Sequence, residues 1–556
     1  MSKRSHSRVA MGTVTGPLLD RRLLMKLAAG GAALSLFPAS VQRQLAAAQE
    51  ATQVSIEWRK PRTLSPLFST AGFEQQVERL IFGTLVKMSD KLVPTGDLAE
   101  TIDVSDDATV FTFHLRENAM FNDGTPLTAE DVMFTFERAL DARTGSFWTG
   151  RLQGIKGAAE YGDQSAETVE GLEAVDDHTF RITLSGPDSA FLAILADFSG
   201  LGILPKHVLA DVAPDQLMAH DFSLNPTTGA GAYTFVRYES DQFVELEVNP
   251  NYWGEKPAVD RLFLRIVQAE IAVAELEAGN LDLISVSIDN MERLQQNPNL
   301  TVVSVQSPSM DSISLNLDLE YFQDKRLRQA MMYGIDRKSI TEQIYMGNAI
   351  VRNSPIFGPE WMGVPEGLNE YAFDPEKAKS LVTESGWDTN RTVQMMYSPA
   401  GNTTFANMVP IIQQQLGEIG IKIELLQADA AEINRKLITD HDYEIYIGGG
   451  GVYGADPNVS SRYYLSNGFT PNGANSVWYA NPEVDDLYAK GREAKSQEER
   501  KPIYTELAQL LNEELPSIFL WSPNTNFAYS NRLQGFLPPS YVDNRLWNAE
   551  EWTVGE

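Results

Sequence analysis

The stretch FNDGTPLTAEDVMFTFERAL, residues 121–140, reads as a tight turn handing over to a capped helix. Asp123-Gly124 is a turn dipeptide, and Pro126 closes the loop. Thr128 stands at the N-cap, with Asp131 three residues later as its capping-box partner. Val132, Met133, Phe136, Ala139 and Leu140 recur at helical spacing, so one face of the helix is expected to be buried.

Strand patterns flank this helix. Phe111, Phe113 and Leu115 alternate with polar residues, as do Phe180, Ile182 and Leu184, which predicts half-buried strands of an antiparallel or mixed sheet. Val244, Leu246 and Val248 alternate after a turn at Ser240-Asp241-Gln242, so 233–248 reads as a hairpin. Further on, helices alternate with strands. A helix over Glu270–Ala278, closed by Gly279-Asn280, leads into a strand over Leu281–Ile284. Asp374 caps a helix that has Pro375 at its first position and Gly386 at its end. A helix over Ile411–Ile419 stops at Gly420, and the strand Ile421–Leu425 follows. Such units build α/β layers, so periodicity predicts a large mixed α/β protein with several subdomains.

The 556 residues contain no cysteine, which excludes a disulfide framework, a thiolate nucleophile, a thiolate metal site and a lipid-bearing cysteine. The net charge of −30 opposes partnership with nucleic acid or an anionic membrane surface. Residues 1–48 read as an address: Arg21-Arg22 precedes the short apolar stretch Leu27–Phe37, and Ala46-Ala47-Ala48 offers a cleavage site. The pair resembles a twin-arginine export signal, so the mature protein is expected to be periplasmic or extracellular.

Catalytic patterns are missing. His114, His178, His207, His220 and His441 show no metal-ligand spacing, and neither an H-E-x-x-H helix nor a G-x-S-x-G elbow occurs. The glycine run Gly448–Gly451 lacks the Lys-Ser/Thr of a phosphate loop. We therefore expect no enzyme, no cofactor and no bound metal. A secreted hydrolase is the alternative these patterns argue against. The glycine run, following a strand that begins near His441, reads either as a tight turn or as a place where a bound molecule approaches the backbone.

The opening string resembles a motif of the extracytoplasmic solute-binding proteins of family 5, which serve peptide-type ABC importers. NPTTGAGAYTFVRY (225–238), VNPNYWGEKPAVDRL (248–262), LRQAMMYGIDRKSI (327–340), DPEKAKSLVTESGW (374–387), QQLGEIGIKIEL (414–425) and ERKPIYTELAQLLNEELPSIFL (499–520) resemble further segments of that family, in its order. The resemblance implies a two-lobe α/β fold of the periplasmic-binding-protein kind (type II, cluster C), with an extra subdomain in lobe one. Lobe one is then expected over 49–90, 198–306 and 522–556, the inserted subdomain over 91–197, and lobe two over 307–521. Hinges would run near Ser312–Asp318 and Phe519–Asn524. The implied function is capture of an oligopeptide between the lobes by a monomer, which delivers it to permease subunits driven by a cytoplasmic ATPase. An oligosaccharide or other small polar solute is the alternative ligand, and a chemosensory receptor would share the same cleft.

The same resemblance places Gly449 and Gly450 on the ligand cleft. It also exposes a departure. Peptide-binding relatives carry an aspartate three positions before an Asp-Pro pair, where it holds the ligand ammonium. Here the pair is Asp456-Pro457, and that position is Tyr453. A phenol lacks the negative charge a desolvated ammonium requires, so either Asp456 substitutes or Asp456 only caps the following helix. Tyr453 suits stacking on a sugar face or an apolar side chain. Asn316, in SLNLD, matches the family's hinge-strand asparagine. Trp521 is read either as a cleft wall or as core, and Phe73 as a cleft candidate in the loop after the first strand.

Overall fold

The computed structural model describes residues 52–197, 200–399, 403–452, 456–471, 473–539 and 544–555. Residues 1–48, read above as an export signal, and Tyr453 lie outside the described residues.

The helix read from the opening motif spans Ala129–Leu140, and the Thr128 amide donates to Asp131 Oδ2 at 3.0 Å. Its face carrying Val132, Phe136, Ala139 and Leu140 is buried, and Phe136 meets Phe180 with ring centroids 5.6 Å apart. Below it lies a four-stranded antiparallel sheet in the order Ala99–Val104, Val110–Leu115, Thr179–Thr183, Leu172–Asp176. Phe113 pairs with Phe180 across it, as the alternation of both segments requires.

Among the described residues, twelve of the remaining strands build one mixed sheet. Gln53–Trp58 runs parallel to Arg261–Ile266, beyond which lies the antiparallel hairpin Tyr233–Glu239 and Phe243–Val248. At the other end, Lys422–Gln427, Thr392–Tyr397 and Ile445–Val452 line up beside Ser309–Leu315. Ser517–Ser530 joins the two ends. Its first residues pair with Ser309–Leu315, and its last with Leu283–Ser285 and Leu300–Gln306.

Two main cores straddle that junction. One draws on Val54 to Leu264, with Phe527, Leu533 and Trp552, and includes the small sheet. The other draws on Met310 to Trp521. Besides the strands, the segment after the small sheet connects them: the Ser189 amide donates to the Arg492 carbonyl at 2.9 Å, at the end of helix Pro482–Glu493.

The segment LRQAMMYGIDRKSI proves to be scaffold. Arg328 is buried and donates to the carbonyls of Phe322, Gln323, Glu514 and Leu515, which ties helix Lys325–Gly334 to the end of helix Gln497–Glu514. Arg337 is buried too and donates to the carbonyls of Arg352, Phe519, Glu370 and Tyr371.

Element ends shift slightly from the sequence reading. The helix expected over Glu270–Ala278 spans Ala269–Glu277, and the strand after it is Leu283–Ser285. The helix before Gly420 begins much earlier, at Thr403, with Pro410 inside it. The glycine run does not end its strand. Ile445–Val452 continues through all four glycines, because Ser309–Leu315 pairs with it on both sides of a bulge at Gly449-Gly450.

Candidate functional site

Where Ser309–Leu315 passes between its neighbours, both neighbouring strands carry an extra residue opposite Asp311. Met310 pairs with Gly451 and Ser312 with Gly448 on one side, while Asp311 pairs with Trp521 and Ser312 with Phe519 on the other. Bulges of this kind re-aim side chains. The Asp311 carboxylate is buried: Oδ2 accepts from Trp521 Nε1 at 3.0 Å and from the Tyr345 hydroxyl at 3.2 Å. Oδ1 lies against Gly449, only 2.0 Å from where a Cβ on that residue would stand. Burial pushes the Asp311 carboxyl up to about 6.

Gly449, Gly450 and Trp521 are therefore brought together at the strand junction. The close approach that demands glycine at 449 comes from Asp311, and at 448 from the Tyr446 ring, whose hydroxyl is 2.1 Å from a would-be Cβ. Trp521 is fully buried and packs on Tyr345 with centroids 5.5 Å apart, so of the two readings for it the core reading describes its position. Asn316 is also buried. Its Nδ2 donates to the Tyr443 carbonyl at 2.9 Å and its Oδ1 accepts from the Asp318 amide at 3.1 Å, which pins the chain beyond the strand.

Asp456 lies elsewhere in the second core. It caps the short helix Pro457–Tyr463 by accepting from the Asn458 amide at 2.8 Å. Both its oxygens are taken by Arg500, at 2.8 and 2.7 Å, in a buried bidentate pair. Burial alone would depress the Arg500 guanidinium, and Asp456 more than reverses this, so it lies above its ordinary value. Of the two readings for Asp456, the capping one describes its position, and its charge is matched by Arg500. Phe73 belongs to the first core, at the start of helix Gly72–Phe82 rather than in a loop, half-buried with the Arg59 guanidinium 6.0 Å from its ring centre.

Beside the strand junction opens a pocket of about 510 Å³, walled by Val305–Pro308, Leu92, Arg352, and the loop that carries Phe357 and Val364. Arg352 follows the short strand Ala349–Val351, which pairs with Ser517–Ser530. Its Nε donates to Ser522 Oγ at 2.7 Å, and the Phe357 ring lies 4.0 Å from its guanidinium carbon. Its Nη2 is buried without a hydrogen-bond partner. Burial pushes this guanidinium down to about 10.

Among the described residues, no three of His, Asp and Glu gather as metal ligands, and no helix is long and apolar enough to cross a membrane.

The sequence profile of the bacterial extracellular solute-binding proteins, family 5 Middle, matches residues 93–472. The chain belongs to this family. The oligopeptide-binding protein AppA of Bacillus subtilis is 26% identical over 516 residues, spanning 89% of this chain and 90% of that protein. The di/tripeptide-binding protein 2 of Pseudomonas aeruginosa is 28% identical over 459 residues, spanning 79% of this chain and 83% of its own length. In fold, this solute-binding protein is similar to AppA from Bacillus subtilis solved with a nonapeptide, with a TM-score of 0.77 at 24% identity over 91% of this chain and 100% of that one. It is likewise similar to DppA from Helicobacter pylori solved with the peptide STSA, with a TM-score of 0.77 at 23% identity over 92% of this chain and 100% of that one. The expected two-lobe periplasmic-binding-protein fold is the fold found.

Two features of this family 5 protein escaped the sequence reading. Asp311, in SMDSISL, falls in phase with Ile313 and Leu315, so alternation puts this carboxylate on the buried face of its strand, and the sequence reading passed over it. Arg352 carries no motif. Its one sequence signal is a lone arginine directly after a short apolar strand.

Proposed function

We propose that this chain is the extracytoplasmic receptor of an ABC importer, capturing an oligopeptide between two lobes and presenting it to membrane permease subunits. The observation that carries this reading is the junction: two separate cores on one sheet, joined through Ser309–Leu315 and Ser517–Ser530. Such an arrangement allows hinge motion with neither core disrupted. The peptide-binding relatives supply the ligand class. On this reading the protein works as a monomer, non-covalently and without a cofactor, and leaves the cytoplasm by the twin-arginine route. Lobe one takes 49–90, 198–306 and 522–556, the inserted subdomain 91–197, and lobe two 307–521.

Small-angle scattering and calorimetry test this together. A bound peptide that bridges the lobes should shrink the radius of gyration and raise the melting temperature. An unchanged scattering curve at saturating peptide would count against a clamping receptor. Export is tested separately: Arg21 and Arg22 changed together to Lys should leave full-length precursor in the cytoplasm.

One observation favours a second reading. Tyr453 occupies the position of the relatives' ammonium-holding acid, and Asp456 is paired with Arg500. A ligand without a free ammonium, such as an oligosaccharide, suits that loop. Equal affinity for N-acetylated and free peptides would favour it.

A further inference from the structure

An enclosed histidine ring ordinarily has a hydrogen bond on at least one nitrogen, because an unpartnered buried polar atom is costly. His441 has none: both ring nitrogens are buried, and neither has a partner among the described residues. Aromatic rings surround it instead. The Trp478 ring stacks on it with centroids 3.9 Å apart and planes 7° from parallel, and the Tyr443 ring stands edge-on at 5.5 Å. Phe469 also lies parallel to Trp478, with centroids 5.5 Å apart. Both stacked residues hold left-handed backbone, at φ 52° for His441 and 55° for Trp478. Bulky side chains seldom adopt it, so the surrounding chain keeps both rings in place against local strain.

The stack joins two loops that grip the end of Ser309–Leu315. Just beyond that strand, the Asn316 amide donates to the Glu444 carbonyl at 3.0 Å, and Asn316 Nδ2 donates to the His441 and Tyr443 carbonyls at 3.4 and 2.9 Å. The Leu317 amide donates to the Val477 carbonyl at 3.1 Å. The partners of residue 316 therefore lie at and beside His441 in the chain, and the partner of residue 317 lies beside Trp478. The Tyr443 hydroxyl adds a second tie between the loops, donating to the Ser476 carbonyl at 2.7 Å.

A proton on His441 opposes this arrangement. An imidazolium carries two N–H donors, and both would be enclosed without an acceptor. The Trp478 face attracts a cation, but in a parallel stack it meets neither N–H. Burial accordingly holds His441 below the ordinary 6.5, while Asp318, just beyond the strand, pulls the other way without a hydrogen bond to the ring. The neighbouring carboxylates are matched, Asp440 by Arg435 and Asp442 by Lys436. The segment 464–480, which carries Phe469 and Trp478, contains no charged residue.

We propose that His441 is an acid-sensitive lock on the end of Ser309–Leu315. Neutral, it closes the stack with Trp478 and fixes the loops around Asn316 and Leu317. Protonated, it leaves the stack and frees the strand end. Members of this family work outside the cytoplasm, where pH follows the surroundings. That the freed end is a hinge rests on the receptor reading above. The lock itself does not, and no peptide enters its test.

Wild type, His441→Phe and Trp478→Gly, each as the full-length chain, provide that test. Phenylalanine keeps a ring in the stack and takes no proton, and glycine removes the stacking ring while tolerating the left-handed backbone. In NMR spectra of histidine-labelled protein, the ring resonance missing from His441→Phe belongs to His441. Its midpoint should lie below 6.5 in wild type and return toward 6.5 in Trp478→Gly. Hydrogen exchange read by mass spectrometry follows the segment 312–320. One pH unit below the wild-type midpoint, that segment should exchange severalfold faster in wild type than in His441→Phe, and at neutral pH the two should agree. The folded protein takes the proton less readily than the unfolded chain, so wild type should lose stability relative to His441→Phe as pH falls below 6.5. The loss is about tenfold in the unfolding constant for each pH unit between the midpoint and 6.5. A midpoint at or above 6.5, a midpoint that stays low in Trp478→Gly, or equal exchange in acid would each overturn the lock. His441→Gln assigns the resonance and serves as the non-titrating reference if the phenylalanine variant does not fold.

Discussion

Asp311 Oδ1 occupies the space that a side chain at Gly449 would need, 2.0 Å from the position of its Cβ. The contact lies in the strand junction, with Trp521 and Tyr345 holding the other carboxylate oxygen. Gly449→Ala should therefore destabilise the protein by about 1–3 kcal/mol, the usual result of overpacking. Urea unfolding measures it. Pairing Gly449→Ala with Asp311→Ala should recover part of the loss, and additive effects would show that the two positions are not in conflict.

Asp311 also sets a pH dependence. Its folded-state value, about 6, lies above its ordinary 3.8. Between about pH 4 and pH 6, the folded protein holds a proton that the unfolded chain has released, so this group makes stability fall as pH rises. Its contribution is full below that window and lost above it, amounting to roughly 3 kcal/mol. Other carboxylates act in the opposite sense, so the informative quantity is a difference. Asp311→Asn keeps an acceptor for Trp521 and Tyr345, and its stability relative to wild type should rise across that window. A parallel pH profile for the two proteins would contradict this.

Asp456→Asn should behave as a stability mutant and not as a binding mutant. Asparagine keeps the cap on Pro457–Tyr463 but leaves Arg500 buried without its partner, which costs on the order of 3–5 kcal/mol. Denaturant unfolding should record that loss, while affinity for alanyl peptides, measured where the variant is folded, stays within about twofold. Replacing both residues by leucine should restore much of the stability.

Ser189 and Arg492 make a contact between the two cores away from the junction. Ser189→Pro removes the donor. If that contact favours the compact arrangement, the variant without peptide should scatter with a larger radius of gyration and bind alanyl peptides a few-fold more weakly, because its binding-competent fraction is smaller. Unchanged scattering and affinity would restrict the contact to local packing.

Local patterns served well where the determinants are local. The Thr128–Asp131 box located its helix, and alternation located the strands around Phe113 and Phe180. They failed where distant chain decides. Four successive glycines have poor strand propensity, yet the run stays in the sheet because Ser309–Leu315 pairs with Gly448 and Gly451, on either side of the bulge at Gly449-Gly450. Asp456 finds Arg500 across 44 residues, so its pairing leaves no trace in the sequence nearby. The charge balance of Arg352 depends on what is missing around it in space, which no spacing rule reports.

Ser517–Ser530 is a 14-residue strand with its first half anchored in one core and its second half in the other. At about 3.3 Å per residue it is roughly 45 Å long, which makes it a leaf spring clamped at both ends. The change of partners falls near Pro523, which cannot donate to a ladder. Bending of about 10° there would carry either tip through roughly 4 Å, taking half of that length as the lever arm. Stiffness at this one place thus sets how far the two bodies swing, and substitutions that soften or brace it should tune opening without touching any residue that meets the solute.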